Sequence, residues 1–231
     1  MAPELVVVQG LRDTRGTLAR WNARPLATVG PWFVSAAGIC AALLAAVLVV
    51  GHFSTPDPTG YVQPGVTRDP RLSDVGDILF RNSLVLTLHA MACVAGFIAG
   101  SSLPLEAERY GGLWRWVHDK AGPLAIAFVI AATGFSLLTQ AYILGGEART
   151  LSVQYDMPLG VFVLGLLPHA VPELIGLFLP LAAWTSASRR GAWSELLAAT
   201  FVTVAFAVPM VVAAAFVEVY VSPHLILALR G

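Results

Sequence analysis

The sequence predicts an all-α, polytopic membrane bundle of five transmembrane helices, with the N-terminus cytoplasmic and the C-terminus outside. Three observations predict it. The 231 residues are 57% hydrophobic and 12% charged, with a mean hydropathy of +0.74, which lies outside the range of soluble domains. Five apolar runs, at about 32–50, 78–103, 122–144, 161–183 and 196–221, come close to or exceed the roughly 20 residues a bilayer core requires. Most Lys and Arg fall in the N-terminal tail, the 104–120 segment and the 188–190 segment. With five spans these three share one side, and the basic side is the cytoplasmic one. Arg68 and Arg71 are the exceptions, in a loop that is otherwise acidic.

Composition also excludes several functions. The net charge is zero, so nothing suggests a nucleic-acid partner. Cys40 and Cys93 both sit inside apolar runs, which argues against a disulfide framework or a metal knuckle. The first apolar run is too long for a signal peptide and follows a basic tail, so it reads as a retained anchor. Residues 1–30 read as a cytoplasmic basic segment and 31–231 as one transmembrane domain. Membrane lipid surrounds such a chain. Its expected partners are other membrane or envelope proteins, and a homo-oligomer is compatible with the pattern.

In chain order, Leu5, Val8, Leu11, Leu18 and Trp21 recur at helical spacing among Arg12, Arg15, Arg20 and Arg24, the pattern of a short interfacial helix. The first span, Trp32–Val50, carries no charge. An outer loop at about 52–77 follows, with Pro56, Pro58, Pro64 and Pro70 among Asp57, Asp69, Asp74 and Asp77; such a run is not a helix. The second span opens with Arg81 and Asn82 and carries His89, and its Gly96 and Gly100 form a GxxxG that admits a close neighbouring backbone. The loop 104–120 holds Trp114 and Trp116 as interfacial anchors. Gln140 is the main polar group of the third span. A loop at 145–159 holds Glu147, Arg149 and Asp156. The fourth span contains Pro168, His169, Pro172, Glu173 and Pro180. The fifth ends in Glu218 and Tyr220.

The fourth span is where the sequence concentrates its chemistry. An ionisable side chain at mid-bilayer costs several kcal/mol unless paired or wetted, so it marks a functional site by default. His169 and Glu173 are four apart and share a helix face. At about 1.5 Å per residue, Glu173 falls near mid-membrane, level with His89. Arg81, Asn82, Gln140 and Glu218 fall toward the outer end. The intramembrane polar groups thus lie at the centre or in the outer half, which implies a polar crevice open to the outside. Arg81 is the expected partner of Glu218, and His89 or His169 that of Glu173. Pro168, Pro172 and Pro180 each remove a helix donor, leaving the carbonyls of Leu164, Pro168 and Gly176 free; a kinked or broken helix is expected. Bland readings stand beside these. A lone His89 is more often a packed side chain, Arg81 can snorkel to headgroups, and Glu218 can sit solvated at the interface.

No catalytic residue, metal or cofactor is expected. A metalloprotease uses HExxH, whereas here the order is His-x-x-x-Glu. His89 and His169 lie at depths compatible with a haem, but no other feature supports one.

Leu167-Pro168-His169-Ala170-Val171-Pro172-Glu173-Leu174 resembles the Pro-His-Gly-x-x-Glu-Leu signature of the stage II sporulation protein M family. Leu79-Phe80-Arg81-Asn82-Ser83 resembles the start of that family's second span, and Phe216-Val217-Glu218-Val219-Tyr220-Val221-Ser222-Pro223 its closing motif. The departures are Ala170 for a usual Gly, Pro172 for a usual aliphatic residue, and a single Asn82 where a pair is common. The resemblance covers spans two to five. It implies a five-span protein of the bacterial inner membrane that acts as a scaffold or assembly factor for cell-envelope, peptidoglycan-remodelling partners. A transporter or channel component using the crevice at Glu173 and His169 is the alternative. A scaffold, unlike an enzyme, has no turnover.

Overall fold

The structure, a computed structural model, describes residues 6–102 and 112–230, with the side chains of 6–9, 11, 102, 113–122 and 125 outside the description. Among the described residues, seven α-helices carry the chain: α1 (Val6–Asn22), α2 (Pro25–Phe53), α3 (Leu72–Phe97), α4 (Gly112–Gln154), α5 (Leu159–Arg190), α6 (Leu196–Tyr220) and α7 (Ser222–Leu229). A π-helical turn, Ile98–Ser102, extends α3, and a 3-10 turn, Trp193–Glu195, leads into α6. Among the described residues there is no strand, only an isolated bridge between Pro64 and Arg68. Five segments among the described residues are long and apolar enough to cross a bilayer: Pro25–Phe53, Leu72–Ser101, Ile126–Gln154, Leu159–Arg190 and Trp193–Tyr220. The fold is the all-α, five-span membrane architecture, and the chain is a multi-pass membrane protein.

The helices overrun the apolar runs that predict them. Residues 145–154, read as loop, continue α4. The Gly145-Gly146 pair suggests a break, but a helical glycine costs only about 1 kcal/mol, and Gly145 is needed for packing. A Cβ there would stand 2.7 Å from the Val50 side chain and 3.0 Å from the Val47 carbonyl, and one at Gly51 would stand 2.9 Å from the Gly145 carbonyl. Small residues let α2 and α4 touch backbone to backbone. Of the 104–120 loop, 103–111 lie outside the described residues; from Gly112, at φ +59, the chain is already helix. Trp114 and Trp116 are therefore on α4, with their side chains outside the description.

α5 is not broken at its prolines. It runs as one α-helix from Leu159 to Arg190 through Pro168, Pro172 and Pro180. Each ring deletes one donor, while the remaining hydrogen bonds and the packing hold the helix. At Gly176 an added Cβ would stand 3.4 Å from the Ala207 carbonyl of α6, so α6 closes on α5 near the carbonyl that Pro180 frees.

Contacts divide the chain into two units, Met1–Ala36 with Leu86–Thr133 and Phe178–Phe206, and Ala37–Val85 with Gly134–Leu177 and Ala207–Gly231. In the first, α1 packs as the amphipathic spacing implies: Gly10 faces Phe97 and Leu197, Arg20 reaches Glu195 at 3.4 Å, and Trp21 meets Trp32 edge-on at 5.2 Å. The Gly96 and Gly100 notches receive indole rings, not a helix backbone. Gly96 lies under Trp184 and Leu196, and Gly100 under Trp193.

In the second unit, Val47, Ala148, Tyr155, Phe162, Val163 and Ile226 form the main core. Tyr155 lies outside the spans, and burial raises its phenol pKa. The loop is shorter than expected, 54–71, and is fastened down. Asp57 N–H donates to Thr150 Oγ1 (3.0 Å), Tyr61 N–H donates to Gln154 Oε1 (2.8 Å), and Gln154 Nε2 donates back to the Tyr61 carbonyl (2.9 Å). Gly65, at φ +79, lets the loop lie on Pro223. The Arg68 guanidinium grips both carboxylate oxygens of Asp74, and Arg71 N–H donates to Asp74 at 2.8 Å, which seats the start of α3. The same ion pair raises the Arg68 pKa.

Candidate functional site

The second unit gathers acidic side chains from three helices. Glu147 comes from α4, Glu173 from α5 and Glu218 from α6. Together with His169 and Gln63 they line a cavity of about 220 Å³ whose other walls are apolar, among them Phe162, Leu166 and Leu174. An adjoining cavity of about 340 Å³ shares Gln63, Glu147, Leu151 and Glu218 with it and adds Arg81 and Asp77. The helices explain the convergence: apolar flanks seal each span against its neighbours, so each lone carboxyl turns toward the polar wall rather than toward lipid.

Glu218 lies within electrostatic reach of both Glu173 and Arg81, and Arg81 also acts on Glu147. The sequence-based pairing of Arg81 with Glu218 is thus one side of a wider cluster. Asn82 is the hydrogen-bonding side chain facing Glu173. Even so, Glu173 Oε2, Asn82 Nδ2 and Gln63 Oε1 are buried without a partner at normal hydrogen-bond geometry. Arg81 acts on Glu147 and Glu218, while Glu173 faces Asn82 and Glu218, and a cluster with more carboxyls than guanidinium groups favours occupants that donate hydrogen bonds or carry positive charge.

One histidine takes a partner that the sequence does not suggest. His169, 8% exposed, does not bond Glu173; its Nδ1 meets Ser222 Oγ at 2.6 Å, at the start of α7. His89 belongs to the other unit, fully buried, with its ring 5.6 Å from that of Phe178. Gln140 does not join the cluster either, because its amide donates to Ser136 along α4 at 3.0 Å. In the first unit Cys93 Sγ meets the Pro180 carbonyl at 3.2 Å.

Sequence reasoning missed Glu147, Ser222 and Gln63. Glu147 was legible in principle: Leu144, Glu147, Ala148 and Leu151 sit at helical spacing, and all four line the cavity. Ser222 and Gln63 carry no such signal, because each enters through the path of a turn or loop. Among the described residues, no three His, Cys, Asp or Glu side chains stand close enough to hold a metal ion. Compared with protein-family models, curated proteins and solved structures, the chain matches none, so any account of its function starts from this cluster and the loop above it.

Proposed function

We propose that the chain is a scaffold of the bacterial cytoplasmic membrane, N-terminus inside and C-terminus outside, that docks cell-envelope partners of the peptidoglycan-remodelling kind. This is the role implied by its resemblance to the stage II sporulation protein M family. The observation that carries the reading is the fastening of the 54–71 loop. It is tied to α4 at two points, to Pro223 at a third and to the start of α3 by the Arg68–Asp74 pair. Docking favours a surface ordered in advance, because less entropy is lost on binding. The loop presents Tyr61 and Val62 to solvent, and Leu72 at the start of α3 is exposed beside them. The acidic cluster beneath it then sets the register of α3, α4, α5 and α6, as buried polar groups do in some bundles.

The experiment is site-specific photo-crosslinking from Val62, 73% exposed, in intact cells. The expected result is a discrete adduct containing a cell-wall enzyme, lost when that enzyme is deleted. Adducts with lipid alone, from Val62 and from Tyr61, would overturn the proposal. Transport is the second reading, favoured by the 220 Å³ cavity at His169 and Glu173. It requires solute or proton flux in proteoliposomes that Glu173→Gln abolishes while the folded protein stays abundant. The scaffold reading expects no flux from either form.

A further inference from the structure

A third cavity adjoins the cluster, sharing Glu147 with it, and takes Tyr61 from the loop. It measures about 550 Å³, and Phe53, Asp57, Tyr61, Tyr142, Gly146 and Glu147 are among its walls. Its position follows from the helix crossing. α2 and α4 touch at Gly51 and Gly145, and the recess opens just beyond, where α2 ends at Phe53. The last turn of a spanning helix falls at headgroup depth.

The lining has a definite chemistry. Phe53, Tyr61 and Tyr142 are 81%, 39% and 72% exposed, so these three aromatic rings are not consumed by the core. Two carboxyls accompany them. Asp57 is held ionised and oriented: Thr59 N–H and Oγ1 donate to its Oδ1 at 2.8 and 2.7 Å, which keeps its pKa below the usual aspartate value. Glu147 lines the same recess from α4. Tyr61 cannot drift, because its backbone is bonded twice to Gln154. Gly146 leaves the floor open, since nothing lies within 4 Å of where its Cβ would be. Aromatic faces with nearby carboxylates and no lining cation are the recognition chemistry of an ammonium group.

We propose that this recess binds an ammonium cation, carried by a zwitterionic lipid headgroup at the membrane boundary. The carboxyls of Asp57 and Glu147 offset its charge, and the three rings supply their faces. A free amine offers the same cation without acyl chains.

Native mass spectrometry of the full chain, released from detergent, tests this with phosphatidylethanolamine, phosphatidylcholine and phosphatidylglycerol as probes. The two ammonium lipids are expected to stay bound about tenfold more than phosphatidylglycerol, a difference of roughly 1.4 kcal/mol and within the range of a desolvated cation–π site. Tyr142→Leu and Gly146→Leu are expected to erase that preference. Neither threatens the fold, since Tyr142 is exposed and Gly146→Leu adds a helix-favouring side chain in open space. Displacement of the lipid by millimolar ethanolamine would assign the site to soluble amines, whereas resistance would assign it to lipid; both support an ammonium site. Equal retention of all three lipids, or an unchanged preference in both variants, would overturn it.

Discussion

Gly100 has no room for a side chain, because a Cβ there would enter the Trp193 indole; one at Gly96 would stand 2.7 Å from Trp184 Nε1. Gly96→Val is expected to cost about 1–3 kcal/mol through overpacking, read as a lowered thermal midpoint in detergent, and an unchanged midpoint would refute the notch. Ser222→Ala removes the hydrogen-bond partner of a histidine that is only 8% exposed. Stranding that ring is expected to cost about 1–3 kcal/mol, against near-neutrality if the contact is idle. His169 and Glu173 were legible in the sequence because an ionisable group inside an apolar run is expensive and stands out. Ser222 was not, since a serine just past a helix end costs nothing that hydropathy registers. For His89, hydropathy marks a depth, and depth fixes only one coordinate; its ring packs on Phe178.

At the level of elements, α5 tests how much three prolines matter. Pro168 is exposed, so its ring contributes little packing, and the helix around it is intact. Pro168→Ala restores a donor to the Leu164 carbonyl and is expected to stabilise by about 1 kcal/mol; a large loss would mean that the proline ring itself is required. The 54–71 loop should respond to acid through Asp57. Thr59 keeps that carboxyl below its ordinary pKa, so its contribution is complete above the unfolded aspartate value of 3.8 and is lost only as pH falls below it. Protection of the Thr59 and Tyr61 amides, taken relative to their intrinsic exchange rates at each pH, is expected to stay flat from neutral pH down to about the aspartate range and to fall beneath it. A fall near pH 6 would point to another group. The centres of the helices were legible and the ends were not. Hydropathy reports where the bilayer is the solvent, whereas the backbone ladder of α4 carries on past that region to Gln154.

For the whole molecule, the five-span architecture followed directly from composition, because only helices satisfy their backbone polar groups in lipid without closing a barrel. Which carboxyls meet did not follow, because that depends on how the helices rotate about their axes. Glu147, Glu173 and Glu218 converge because the faces of α4, α5 and α6 that carry them share one cavity. The proposed scaffold needs that cluster inside the protein and reached from the external face, beneath the loop. Thiol accessibility of Glu173→Cys tests this most directly. Cys40 and Cys93 are 3% and 0% exposed, so the parent chain serves as the blank. A membrane-impermeant maleimide added outside intact cells is expected to label the variant and not the parent. Labelling only from the cytoplasmic side, or only by a lipid-soluble reagent, would contradict it.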